Sequence, residues 1–187
     1  MDARSAALGT TVFAAVPATM GGAVPWLVGA SARDAWATST AGTVAGWLLV
    51  ALGVVALAAS FVRFARDGLG TPSPTAPTER LVVTGPYRFV RNPMYVAVLA
   101  VIVGQALLWR SVAVLAYAVL FVVAVTAFVA LYEEPTLREA HGEEYARYVA
   151  TVPRWLPRPG RVWPRGTGTS PHPGDPEVCV RPHAARA

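Results

Sequence analysis

From Val112 to Tyr132 the chain runs twenty-one residues with no charged side chain. An amphipathic helix on a soluble protein puts polar or charged residues on its outer face; this stretch does not. A helix that crosses a bilayer needs roughly 20 apolar residues, and the run supplies them. Three further runs follow the same logic, from about Leu8 to Ala30, from Ala41 to Val62 and from Pro93 to Trp109. Lipid offers no partner to a backbone amide, so such runs must be helices that satisfy their own hydrogen bonds. Composition agrees: 54% of residues are hydrophobic and 14% charged, against about 25% charged in soluble domains. Mean hydropathy is +0.43. The expected fold is all-α, a polytopic membrane bundle of about four transmembrane helices in one domain.

Two runs carry irregularities. Pro17, Pro25 and the Gly21-Gly22 pair should kink the first. It extends too far past Pro17 to read as a cleaved signal peptide. The third is short; it either tilts little, thins the bilayer locally or begins inside a polar pocket.

Orientation follows from the basic residues, all sixteen of which are arginine. With four spans, Arg4, Arg63, Arg66, Arg80, Arg88, Arg91 and every arginine from Arg138 onward share one side. Only Arg33 and Arg110 lie opposite. The positive-inside rule then puts both termini and the second loop in the cytoplasm. The arginine-only basic set and the alanine and valine richness suggest a GC-rich bacterial genome, hence a bacterial inner membrane. The net charge of +5 has an ordinary membrane explanation, and no nucleic-acid motif accompanies it. His141, His172 and His183 lack metal-ligand spacing, so no metal is expected. The single Cys179 excludes an internal disulfide.

Outside the spans the chain divides simply. Asp67 to Thr78 is a Gly/Pro-rich loop. Thr136 to Val152 reads as an amphipathic helix with Leu137, Tyr145, Tyr148 and Val149 on one face. Pro153 to Pro157 ends it, with Trp155 suited to the interface. From Gly160 the Pro, Gly and Arg content indicates disorder. The expected organisation is a membrane domain over 1–159 and a tail over 160–187.

The chemistry concentrates in two segments, Leu81 to Tyr95 (LVVTGPYRFVRNPMY) and Leu131 to Pro135 (LYEEP). Asn92-Pro93 suits the cap and first position of the third span. The free amides of that helix start attract a carboxylate or phosphate. Glu133 and Glu134 end the fourth span, where negative charge opposes the macrodipole. They therefore call for a counter-charge, from Arg88 and Arg91 or from a cationic ligand. Tyr87 and Tyr95 could stack on a flat or cationic group. S-adenosylmethionine combines a carboxylate, an ammonium, a sulfonium and an adenine. A nicotinamide cofactor also has flat rings and anionic groups, and the residues alone leave both open.

GPYRFVRNPMY, LYEEPTL and HGEEYARYVATVPRWLP resemble the integral-membrane methyltransferases that include isoprenylcysteine carboxyl methyltransferase and phosphatidylethanolamine N-methyltransferase. The resemblance covers about Gly68 to Pro157. It implies that Leu81, Val82, Tyr87, Asn92, Pro93, Met94 and Tyr95 line a pocket for S-adenosylmethionine. It also implies that Glu133 and Glu134 hold that cofactor, with a weaker Gly-x-Gly signal at Gly68-Leu69-Gly70. The isoprenylcysteine branch has His where this chain has Asn92, and a substrate-binding arginine where this chain has Val129. A prenylcysteine carboxylate would lack that partner.

The implied reaction is direct methyl transfer to a lipid or other amphipathic acceptor, driven by proximity and alignment. The acceptor supplies the nucleophile, since no Cys, Ser–His or Lys site is visible. Glu134 or Tyr95 would take the proton from an amine. Two alternatives stand beside this reading. One is a nicotinamide-dependent membrane reductase of similar helical layout; the other is a non-catalytic membrane protein.

Overall fold

The computed structural model describes residues 15–31, 39–67 and 81–164. Helix α1 (Val24–Ser31) follows a π-helical turn at Thr19–Ala23, and α2 (Thr40–Asp67) is the longest element. A 3₁₀ turn at Gly85–Arg88 leads into α3 (Pro93–Trp109), and α4 (Val112–Phe128) returns beside it. A second π turn, Val129–Glu133, carries the chain without a break into α5 (Glu134–Thr151). Among the described residues there is no strand, only an isolated bridge between Arg158 and Arg161. The molecule is all-helical, as the apolar runs require.

The helices are built for lipid. Thr40–Phe64 and the helix beginning at Val112 are long and apolar enough to cross a membrane, and α3 is a shorter apolar helix. Only 17% and 22% of the two long apolar windows are buried, so these are not core helices of a soluble protein. Leu48, Leu52 and Val55 on α2 and Val119, Leu120 and Val123 on α4 are exposed. An apolar surface this extensive suits a hydrocarbon surrounding.

Two cores hold the fold. Val98, Ile102 and Ala106 of α3 pack on Val114, Ala118 and Phe121 of α4. The connection is tight: Arg110 adopts the left-handed conformation (φ 54°), and Ser111 caps α4 by accepting from the Val114 amide at 3.4 Å. Between α2 and α3 the backbones themselves touch. A Cβ on Gly53 would lie 2.8 Å from the Ala97 carbonyl, and one on Gly104 2.8 Å from the Gly46 carbonyl. Small residues at a membrane seam permit this approach.

The second core lies at the other end of α3. Leu81 and Val83 pack against Tyr145, Tyr148, Val152 and Trp163, with Leu137 and Val149 at the edge. The face expected on the amphipathic helix is therefore the buried one. That helix bends at Gly142 (φ 48°, ψ −121°), where a side chain would be strained. Trp163 sits inside this core, so packing extends past Gly160, where the sequence suggested that disorder begins. The residues from 165 onward, Gly68-Leu69-Gly70 and most of the Gly/Pro-rich loop lie outside the described residues, as does the first span before Ala15.

Candidate functional site

The sequence predicts a helix end at Glu133-Glu134, stopped by Pro135. The structure differs, and the π turn is the reason. Proline lacks the amide that would bond to the carbonyl four residues back. Here the Glu134 amide reaches five residues back to Val129, so the helix widens by one residue and absorbs the proline. The helix therefore runs on through Glu134, and neither carboxylate sits at a free helix end. The macrodipole cost expected for the pair does not arise. The turn also separates the two carboxylates, and each meets a different environment.

Glu133 accepts a hydrogen bond from the Tyr95 hydroxyl at 3.0 Å. Tyr95 stands in the first turn of α3, on the span that starts at the buried Asn92 and Pro93. That start lies within the packed end of the bundle. Glu134 is engaged by arginines. Arg154 donates through Nε to Oε1 at 2.8 Å and through Nη2 to Oε2 at 2.7 Å. Arg91 donates to the same Oε1 at 2.9 Å and to the Tyr145 hydroxyl at 3.4 Å. The Arg91 and Glu134 side chains are only 10% and 13% exposed, so this pair is shielded; the bidentate contact is Arg154's, and its geometry is specific.

The loop before α3 is fastened to the chain after α5. Arg88 clasps the Trp163 carbonyl through Nε and Nη2 at 2.9 and 2.6 Å, and the Trp163 amide returns a bond to the Arg88 carbonyl at 3.0 Å. The Tyr148 hydroxyl donates to the Tyr87 carbonyl at 2.7 Å. Burial, then the nearby Glu133 charge, push the Tyr87 phenol above its ordinary range, so it stays a neutral hydroxyl.

The predicted site residues take different places in the fold. Tyr95 and Glu133 meet directly. Leu81, Val82, Tyr87, Asn92 and Pro93 are buried, and Met94 is half-buried. Asn92 does not cap α3 with its side chain as expected; its amide donates to the Arg154 carbonyl at 3.3 Å. Of the two arginines expected to answer the acidic pair, Arg91 does so and Arg88 serves Trp163. Arg154 was missed as a partner of Glu134. Its one signal is a lone cation in the proline-bracketed Pro153-Arg154-Trp155-Leu156-Pro157.

Beside Tyr95 a groove of about 250 Å³ opens between α3 and α4, lined by Leu99, Phe121, Val125, Trp155 and Leu156. A carboxylate, a tyrosine hydroxyl and a helix start therefore adjoin an apolar groove at a bundle end. Among the described residues no cluster of potential metal ligands occurs.

The family model for phospholipid methyltransferases matches residues 41–144, which takes in α2 to the bend in α5 and includes Tyr95, Glu133 and Glu134. Neither the curated proteins nor the solved structures compared with the chain give a match. The matched stretch is more than half of the sequence and contains the apolar helices α2, α3 and α4 and the acidic pair, so this chain belongs to the phospholipid methyltransferase family.

Proposed function

We propose that the protein transfers a methyl group from S-adenosylmethionine to an amphipathic acceptor at the cytoplasmic face of the membrane. The observation that carries this is the Tyr95–Glu133 hydrogen bond of 3.0 Å beside the groove that Tyr95 helps to line. The residues fit such a cofactor. Glu133 offers a carboxylate to a cationic end, Tyr95 offers a ring, and the start of α3 offers amides to a carboxylate. When bound, the cofactor supplies an electrophilic methyl on a sulfonium. The chain's residues align it with the acceptor, which is where most of the rate gain arises.

Glu134 serves best as a clamp, because both of its oxygens are engaged by arginines. An amine acceptor must lose a proton, and Glu133, reached through the Tyr95 hydroxyl, is the group placed to take it. A carboxylate acceptor would need no base. The arginine distribution supports the cytoplasmic face for the site and for both termini. A nicotinamide dinucleotide would want the motif-loop cations for its phosphates. Arg88 and Arg91 are instead turned to the Trp163 carbonyl and to Glu134, which weighs against a reductase.

Calorimetric titration of the purified protein with S-adenosylmethionine and S-adenosylhomocysteine tests the assignment. Saturable binding that Glu133→Gln weakens is the expected result. Absence of binding by folded protein would remove the methyl-transfer reading.

A further inference from the structure

The segment after α5 is fastened to the site end of the bundle. Residues beyond 144 lie outside the family match, yet Pro153 and Arg154 are pinned from three directions. The Arg91 amide donates to the Pro153 carbonyl at 2.9 Å. The Asn92 side chain holds the Arg154 carbonyl at 3.3 Å. The Arg154 guanidinium spans both Glu134 oxygens at 2.8 and 2.7 Å. The residue that follows this pin, Trp155, lines the groove. Its ring meets Tyr95 edge-on, with centroids 6.5 Å apart, and Leu156 beside it is 71% exposed.

We propose that Trp155 is the roof of a chain-binding groove that seats part of one hydrocarbon chain of a lipid acceptor beside Tyr95 and Glu133. Arg154, acting through Glu134, is the positioning residue. The inference rests on the methyl-transfer reading and adds the acceptor's apolar part to it.

The occupant follows from the walls and from the size. Leu99, Phe121 and Val125 give a hydrocarbon surface between two apolar helices, with Thr126 among the lining residues. The charged ends of the cofactor would find no counter-charge there. A volume of about 250 Å³ is below the roughly 300–1,000 Å³ of sites that enclose drug-sized molecules. It suits a portion of one chain and not two chains side by side. Tyr95 belongs both to the wall and to the Glu133 hydrogen bond, so a chain seated in the groove ends at the polar pair.

The test uses the full chain in nanodiscs with a phosphatidylethanolamine probe bearing a diazirine in one acyl chain, followed by peptide mapping of the photolabel. Val119 and Val123 are the internal controls, since they are exposed on α4 and lie off the groove. Labelling of Leu99, Val122 and Val125 several-fold above those controls is expected. Trp155→Ala should lower it to the control level, Trp155→Phe should restore it, and Arg154→Ala should lower it with Trp155 still present.

Equal labelling of groove and controls in the unaltered protein would mean ordinary surrounding lipid and would overturn the proposal. Groove labelling that Trp155→Ala leaves unchanged would overturn it as well. Cofactor titration on the same samples separates the two readings, because the photolabel needs no cofactor. Selective labelling without cofactor binding would keep the groove and remove methyl transfer; binding without selective labelling would do the reverse.

Discussion

The chain uses one backbone device twice, to different ends. The π turn Thr19–Ala23 stands two residues before Pro25, and the π turn Val129–Glu133 stands two residues before Pro135. In both, the next amide reaches five residues back, Val24 to Thr19 and Glu134 to Val129. The widened turn accommodates a proline but leaves carbonyls without their usual amides.

At the first turn neighbouring helices close the gap. Gln105 donates to the Gly21 carbonyl at 2.5 Å and Tyr117 to the Met20 carbonyl at 2.9 Å. At the second turn the equivalent residues, Ala130 and Leu131, are exposed, and the turn directs Glu133 to Tyr95 and Glu134 to two arginines. The first is a joint; the second is a joint that carries charge. The lesson is that the turn does not define a site. What the turn carries, and whether its neighbours are spent on closing it, does.

Substitutions break this comparison from its charged side first. Glu134→Gln removes the countercharge of the shielded Arg91 and unpins Arg154. Breaking a buried pair costs about 3–5 kcal/mol; the Arg154 arm adds little, because that side chain is 35% exposed and solvent screens it. A large fall in melting temperature is expected, read by thermal unfolding in detergent, with the polar end of the bundle affected most. An unchanged melting temperature would mean that the clamp does not hold the segment after α5.

Glu133→Gln should act on the ligand and not on the fold. Losing a charged hydrogen-bond partner costs about 1.5–3 kcal/mol. Affinity for S-adenosylmethionine should therefore fall about 10- to 100-fold by calorimetry, with the melting temperature nearly unchanged. A variant that bound as tightly as the original would sink the assignment of Glu133.

Gln105→Leu sharpens the contrast from the other turn. Gln105 also bonds the Val101 carbonyl at 3.2 Å, so its loss leaves the Gly21 carbonyl bare in an apolar interior. A cost of about 1–2 kcal/mol should appear in the melting temperature, and cofactor affinity should not move. A change in affinity would mean that the two turns communicate.

The sequence showed some of this and not the rest, for physical reasons. Pro93–Trp109 has the bounds that its apolar run and Asn-Pro start predict. The buried face of α5 is the one its spacing names. Both signals are local, written in residues a few positions apart. The Gly46–Gly104 contact, the Arg88–Trp163 clasp and the Arg154–Glu134 pin join residues far apart in the chain, and no periodicity encodes them. Helix continuation through Pro135 was hidden for another reason. Proline reads as a stop unless the turn before it widens, and nothing in Val129 to Glu133 marks that widening.

Tyr117→Phe is the finest probe of the comparison. The Tyr117 hydroxyl bonds the Met20 carbonyl at 2.9 Å and lies 3.4 Å from the Met20 sulfur, and the half-buried ring packs beside the α3–α4 core. Hydrogen bonds between membrane helices average about 0.6 kcal/mol, because the separated helices find other partners. The expected loss is of that size, smaller than for Gln105, and it should be additive with Gln105→Leu only if the two carbonyls are closed independently. If the first turn is a single joint, removing either bond loosens the turn for both, and the double variant should lose less than the sum. A double-mutant cycle read by thermal unfolding decides between them. Coupling would show that the turn closes as one unit, and additivity that each freed carbonyl is met on its own.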